Sequence, residues 1–321
     1  MKLNMMYSFL KTDIDLIEKE LEVAIESQSP ILKEASLHLL QAGGKRIRPV
    51  FVLLAAKFGH YDIHLIKHVA IALELIHMAS LVHDDVIDDA DLRRGKATIK
   101  SQWDNRVAMY TGDFIFARSL ETMTKIPDSQ AHKILSDIMV ELCIGEIAQI
   151  EDKYRYNQSL RDYLRRIKRK TALLIAGSCQ LGAIAAGAPA EIHKKLYSFG
   201  YNVGMSFQIT DDILDLTSSE EELGKPAGSD LLQGNITLPI LYAMNEDPSL
   251  SQMIQKVSDQ TTPIEMKSII GKIKETSAIE QSHKVSKMYL KKALRDLESL
   301  PNTRAKKTLR DIANFIGNRK Y

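Results

Sequence analysis

Two short runs of aspartate carry the chemistry this chain offers. The first is Asp84, Asp85 and Asp88, extended by Asp89 and Asp91. The second is Asp211, Asp212 and Asp215. In both, carboxylates stand at i, i+1 and i+4, and on a helix that spacing turns all three toward one side. Like charges so placed repel by roughly a few tenths of a kcal/mol per pair. One such cluster is ordinarily a solvated helix face. Here each cluster ends an apolar stretch, Ala79-Ser80-Leu81-Val82-His83 in one case and Phe207-Gln208-Ile209-Thr210 in the other. Carboxylates at the end of buried helix need partners, so the repetition points to bound cations. Ligands that are all oxygen favour a hard ion, and Mg²⁺ takes one or two carboxylates and completes its shell from substrate phosphates. The expectation is two acidic walls that hold a diphosphate carried on Mg²⁺.

A diphosphate also needs cationic donors. Gly43-Gly44-Lys45-Arg46-Ile47-Arg48-Pro49 sets three cations between a glycine pair and a proline suited to a first helical turn. Arg93-Arg94-Gly95-Lys96 follows directly on the first acidic run. Arginine forks bind phosphate oxygens in pairs and lysine adds a point charge. The plainer alternative for each cluster is a set of surface salt bridges.

The elements that must position these groups read as helices. Ile14, Ile17, Leu21 and Ile25 mark one amphipathic helix, and Pro30 opens another through Leu37, Leu39 and Leu40. Apolar helices are expected over Val50 to Phe58 and His64 to His83, parted by Gly59-His60-Tyr61-Asp62. Pro127-Asp128 precedes a helix over Ala131 to Ile150, and Asn157-Gln158-Ser159 caps the next. Gly224 to Gly234 reads as a loop, and Pro239, Pro248, Pro263 and Pro301 punctuate further helices. Ala172 to Ala188 is almost wholly apolar and follows a basic run. It is short for a membrane span, contains Ser178 and Gln180, and ends at Pro189, so it reads as a core helix packed through small residues. No strand run and no glycine-rich phosphate loop after a strand is evident. Together the pattern predicts a single all-α domain over residues 1–321.

Composition bounds the rest. With 43 Lys+Arg against 41 Asp+Glu, the net charge of +2 gives no call for nucleic acid. Apolar residues at 45% are ample for a core in a chain of 321 residues. Two cysteines, Cys143 and Cys179, are too few for a disulfide framework and fit a reducing, cytoplasmic setting, and the start shows no secretory signal pattern.

The ordered set GGKRIRP, HMASLVHDDVIDDADLRRG, GDF, GEIAQ, KT, FQITDDILD and GKPAGSDLLQGNITLP, spread over nearly the whole chain, resembles the trans-polyprenyl diphosphate synthases. These elongate an allylic diphosphate with isopentenyl diphosphate. Within the family the chain is most similar to the large catalytic subunits of two-component heptaprenyl-type synthases. The resemblance implies an isoprenoid synthase-type helical bundle around a central active-site cavity. It implies three Mg²⁺ held on the allylic diphosphate by Asp84, Asp85 and Asp88 together with Asp211, Asp212 and Asp215. It assigns Arg93, Lys170 and Lys225 to the allylic diphosphate. Lys45, Arg48, His77 and Arg94 go to isopentenyl diphosphate, although a histidine on an apolar helix is also a common core residue. Lys170, Thr171 and Gln208 would lie near the allylic carbon. Ala79 and Ser80, five and four positions before Asp84, are small, which in this family goes with longer products.

The resemblance further implies a smaller, dissimilar component I subunit, with a self-sufficient homodimer making hexaprenyl or octaprenyl diphosphate as the alternative. It implies farnesyl diphosphate as primer, a product destined for the menaquinone side chain, and peripheral membrane contact at most. One departure stands out: where many members read Gly-Lys, this chain reads Gly234-Asn235, so no diphosphate contact is carried to that position. Three competing readings fit less well. A class I terpene cyclase would usually lack the second aspartate triplet and the GGKRIRP segment. A noncatalytic prenyl diphosphate-binding subunit would be expected to have lost one acidic run. A Ca²⁺ module would need a loop of alternating ligands.

Overall fold

The computed structural model describes residues 3–219, 226–258, 260–317 and 319. Among these, helices account for nearly all regular structure, and the one sheet is a two-stranded hairpin. The chain falls into two compact units. One draws its described residues from Met1–Met139, Gly177–Tyr197 and Leu300–Leu309, the other from Val140–Ala176, Ser198–Ser299 and Arg310–Tyr321.

In the first unit the helix Ile63–Ile87 is the core element. Its residues from Val69 to Ile76 are all buried, so the whole circumference, not one stripe, is covered by neighbours. The helices Asn105–Met123 and Ile47–Ala56 pack on it. Asp62 caps its start by accepting a hydrogen bond from the His64 N–H at 2.9 Å. Its end falls at the first acidic run. There Asp89 enters the left-handed region at φ 52° and reverses the chain, a conformation that aspartate tolerates better than most residues. By length and composition alone this helix could cross a membrane, but two thirds of its apolar window is buried inside the protein, as befits a core helix.

Directly after it comes the feature that sequence patterning missed, the hairpin Leu92–Arg93 with Lys96–Ala97. Two residues per strand are too few to show alternation. The turn itself has a local cause: Arg94 and Gly95 both take positive φ, 54° and 76°, the conformation of a tight primed turn that fits strand twist.

In the second unit, Ile209, Ile213 and Leu216 of the helix Ala190–Thr217 join Tyr163, Ile167, Leu238 and Ile273 in one apolar cluster. Burying each such aliphatic side chain stabilises the fold by roughly 1.5–3 kcal/mol. Helix Leu238–Glu246 packs along Ala278–Glu298, and Pro248–Ile254 and Pro263–Glu275 complete the shell. Pro239, Pro248 and Pro263 all stand in the first turns of their helices. Ser159 caps Leu160–Ile167 through a reciprocal box with Asp162, as Asn157-Gln158-Ser159 predicts. Residues Lys168–Ala172 then form one wide π turn, a second feature without a sequence signal, before helix Leu173–Ala185. The expected core helix is borne out: Ala172, Leu174, Ala176, Cys179, Leu181 and Ala183 are almost wholly buried. Within the expected loop, the described part carries a short helix, Ser229–Leu232.

Candidate active site

In the first unit, two turns and one helix bring several cationic side chains together. Arg46 caps helix Ile47–Ala56 in the left-handed conformation, φ 45°. That reversal leaves Lys45 exposed on the loop and Arg48 half-buried in the first helical turn. The Arg48 Nε is fully buried and has no hydrogen-bond partner. Burial pushes the Arg48 guanidinium down to about 10; nearby Glu74 opposes the shift and Arg94 adds to it. Arg94 reaches over from the hairpin turn and lies against Gly44, where a Cβ would stand 2.6 Å from Arg94 Nη1. His77, on the core helix, is held well below the usual imidazole range, first by burial and then by Arg48, Arg94, Arg93 and Arg46. It is therefore a neutral ring, able to donate one N–H. Crowded guanidiniums, one with an unmet buried donor, are a poor arrangement for an empty core and a good one for a multiply charged anion.

Next to these cations the first acidic run divides by burial. Asp85 is 3% exposed and accepts from Arg93 Nε at 2.8 Å, with Arg93 Nη2 at 2.6 Å. Burial nevertheless raises its pKa, partly offset by Arg93. Asp84 and Asp88 are half-exposed. Asp89 and Asp91 are taken up by Lys100, at 2.5 and 3.4 Å.

In the second unit the division recurs. Asp212 and Asp215 are each 3% exposed. Asp212 accepts from Tyr163 Oη at 2.7 Å and from Gln208 Nε2 at 2.8 Å. Burial and neighbouring Asp230 push its carboxyl up to about 7 in spite of these donors. Asp215 accepts from Ser229 Oγ at 2.8 Å and from the Asp230 N–H at 3.3 Å, which ties the Ser229–Leu232 turn to the acidic helix. Asp211 is the most exposed of the three and pairs with Arg319, whose guanidinium also lies over the Phe207 ring, 5.1 Å from its centre.

The π turn presents Lys170 and Thr171. Lys170 Nζ donates to Gln149 Oε1 at 3.0 Å and lies 3.5 Å from Glu146 Oε2. The Thr171 hydroxyl donates to Gln208 Oε1 at 2.7 Å. A relay Thr171–Gln208–Asp212–Tyr163 results, with Gln208 fixed at both ends. π turns re-aim side chains and recur at functional sites.

Thus the structure brings Arg48, His77 and Arg94 together beside the Asp85–Arg93 pair, and brings Thr171, Gln208 and Asp212 together in the other unit. Ala79 is fully buried, while Ser80 is half-buried and donates to the His77 carbonyl at 2.9 Å. Lys225 lies outside the described residues. Tyr163 and Arg319 were not foreseen. Nothing local in sequence marks either, although a tyrosine on the buried side of an amphipathic helix does announce a polar tip in need of a partner. Among the described residues no three His, Cys, Asp or Glu converge into a self-sufficient metal cage. The half-exposed carboxylates of Asp84, Asp88 and Asp211 are all-oxygen donors of the kind that suits an ion sharing its shell with substrate phosphates.

The protein is thus helical, with two aspartate runs, a crowd of arginines in one unit and a hydroxyl–amide relay in the other. The chain belongs to the polyprenyl synthetase family, whose model matches residues 29–273, and it is a trans-prenyltransferase. It is 64% identical over 321 residues to heptaprenyl diphosphate synthase component 2 of Bacillus subtilis strain 168, covering 100% of this chain and 92% of that protein. The crystal structure of heptaprenyl diphosphate synthase from Staphylococcus aureus superposes with a TM-score of 0.93 at 44% identity, over 97% of this chain and 99% of that one. A polyprenyl synthase from Caulobacter crescentus, solved with calcium and isoprenyl diphosphate, gives a TM-score of 0.94 at 30% identity, over 100% and 98%. The family uses a divalent metal.

Proposed function

We propose that this chain adds isopentenyl diphosphate head to tail onto an allylic primer, farnesyl diphosphate, until it reaches heptaprenyl diphosphate for the menaquinone side chain. The whole of residues 1–321 serves this one reaction in the cytoplasm, with three Mg²⁺ bound together with the allylic diphosphate. The observation that carries the reading is the crowd of Arg48, Arg94 and neutral His77 around an unmet buried guanidinium N–H, beside Asp85 and Arg93.

Lys45, Arg48, Arg94 and His77 bind the isopentenyl diphosphate. Arg93, Lys170 and Lys225 bind the allylic one. Asp84, Asp88 and Asp211 offer oxygens to the metal, while buried Asp85, Asp212 and Asp215 hold Arg93, Gln208 and the Ser229 turn in place. When bound, Mg²⁺ neutralises charge on the diphosphate leaving group. The allylic C–O bond breaks and its electron pair leaves with the diphosphate. The lone pairs of Thr171 Oγ1 and Gln208 Oε1 face the resulting carbocation as fixed dipoles, which need no reorganisation during the step. The isopentenyl double bond then supplies the pair for the new C–C bond. The proton lost from the adjacent carbon passes to the departing diphosphate, so no protein general base is required.

A partner subunit belongs to the same proposal. Relatives named component 2 support a smaller component 1. So does an apolar seam on helix Ser129–Asp152, where Val140, Ile144, Ile147 and Ile150 are 55%, 43%, 58% and 46% exposed at the spacing of a helix-packing face. The test is to incubate the purified chain with Mg²⁺, labelled isopentenyl diphosphate and farnesyl diphosphate, with and without extract of the source cell, and to size the products. A ladder ending near C35 only with extract is expected. The same ladder without extract overturns the need for a partner, and no labelled product in either tube overturns the reading.

A further inference from the structure

One buried charge takes no part in the chemistry above. Glu74 sits in the middle of the core helix, 3% exposed, in a run that is otherwise apolar from Val69 to Ile76. A carboxylate there is costly unless paired. Its Oε1 accepts from Arg46 Nη1 at 3.1 Å, and its Oε2 is buried with no hydrogen-bond partner. Arg46 is itself 8% exposed, and its Nε and Nη2 donate to Glu18 Oε1 at 2.5 Å, Glu18 Oε2 at 3.2 Å and the Leu40 carbonyl at 3.2 Å, so four of its five N–H groups are engaged within the protein. Arg46 therefore offers little to a ligand, although it lies in the same short segment as Lys45 and Arg48. It holds that segment instead. A non-glycine residue at φ 45° costs on the order of 1 kcal/mol and persists only where surrounding contacts enforce it. The fork to Glu18 and the bond to Glu74 are those contacts. The left-handed turn they fix sends Lys45 outward and Arg48 inward. Glu74 also lies one helical turn before His77 on the same face and opposes the repulsion Arg48 feels from Arg94.

We propose that Glu74 and Arg46 are positioning residues for the isopentenyl diphosphate pocket, with the buried pair setting the turn that places Lys45 and Arg48. The inference rests on the pocket being that of isopentenyl diphosphate. Its rival is a pair that merely stabilises the fold, and the two make different predictions for removing both partners. Losing one partner of a buried pair strands a charge, whereas replacing both by apolar residues of similar size is often neutral for stability. Arg46→Met and Glu74→Met should each lower Tm, and the double variant should recover most of the loss, since Glu18 is half-exposed and water can solvate it.

The KM for isopentenyl diphosphate should behave otherwise. It should rise about tenfold or more in both single variants and stay raised in the double, while the KM for farnesyl diphosphate changes less than about threefold. A double variant with recovered Tm and wild-type KM for isopentenyl diphosphate would overturn the inference and leave the proposed function intact. If the wild type gives no product under any condition, the proposed function fails instead. Calorimetric titration of wild type and double variant with isopentenyl diphosphate then decides the positioning role alone: equal affinities overturn it, and about tenfold weaker binding by the double upholds it.

Discussion

Gly204→Ala is the most informative single perturbation of the relay. Gly204 lies one turn before Gln208 on helix Ala190–Thr217 and faces the π turn. A Cβ at 204 would stand 2.6 Å from Ala172 Cα and 3.1 Å from Ala172 Cβ. Carbon atoms pack at roughly 3.5–4.0 Å, so the two backbones must part by about 1 Å. The Thr171 hydroxyl donates to Gln208 across this same seam at 2.7 Å, and about 1 Å of separation carries the pair past hydrogen-bonding range. The strain of overpacking costs roughly 1–3 kcal/mol of stability, which a chain with this much buried surface survives. Misplacing a catalytic dipole by about 1 Å costs on the order of a hundredfold in rate. The assay is kcat at saturating Mg²⁺ and both diphosphates, with circular dichroism and Tm as controls. A folded variant with kcat down between about tenfold and a hundredfold, and an unchanged KM for isopentenyl diphosphate, is expected. A folded variant with kcat within about twofold of wild type would refute the argument that close helix packing sets the Thr171–Gln208 contact.

Two further outcomes follow from burial. Tyr163→Phe deletes a donor to a buried carboxylate, which costs roughly 1–3 kcal/mol. Burial pushes the Asp212 carboxyl up to about 7, above its unfolded value, so its burial costs stability progressively as pH rises from the ordinary carboxylate range to about 7, and above that pH the buried group is an ionised carboxylate. The Tm loss in Tyr163→Phe is therefore expected to be larger at pH 8, where the ionised carboxylate needs the donor, than at pH 6; equal losses would contradict the account. Phenylalanine at Ser80 or at Ala79 is expected to shorten the longest product. At fully buried Ala79 it should also lower Tm, at a cost of about 1–3 kcal/mol from overpacking. Unchanged product length in both variants would mean that the growing tail runs elsewhere.

The aspartate runs were legible in sequence because repulsive spacing and apolar flanks coincide twice, and the cationic segments because glycine and proline frame them. The helices were legible from periodicity, and Ser159 from its capping position. What sequence did not show depends on contacts between distant residues or on backbone detail. Lys168–Ala172 reads as ordinary helix, and its wider turn, packed closely against Gly204 and Gly145, depends on contacts with distant residues. Aspartates three or four residues apart look alike in sequence, yet Asp85, Asp212 and Asp215 are buried while Asp84, Asp88 and Asp211 are not. Arg319 meets Asp211 from the far end of the chain. Glu74 did carry a signal, a lone acid inside an apolar run, but its partner at Arg46 becomes evident only when the left-handed turn is seen.

Metal-dependent transfer through the aspartates is the central claim, and Mg²⁺ titration of labelled isopentenyl diphosphate incorporation tests it most directly. Wild type is compared with Asp84→Ala/Asp85→Ala and with Asp211→Ala. The account predicts Mg²⁺-dependent incorporation by wild type, loss of turnover in both variants at every Mg²⁺ concentration, and unchanged helicity. Turnover that persists in folded Asp84→Ala/Asp85→Ala protein would contradict it.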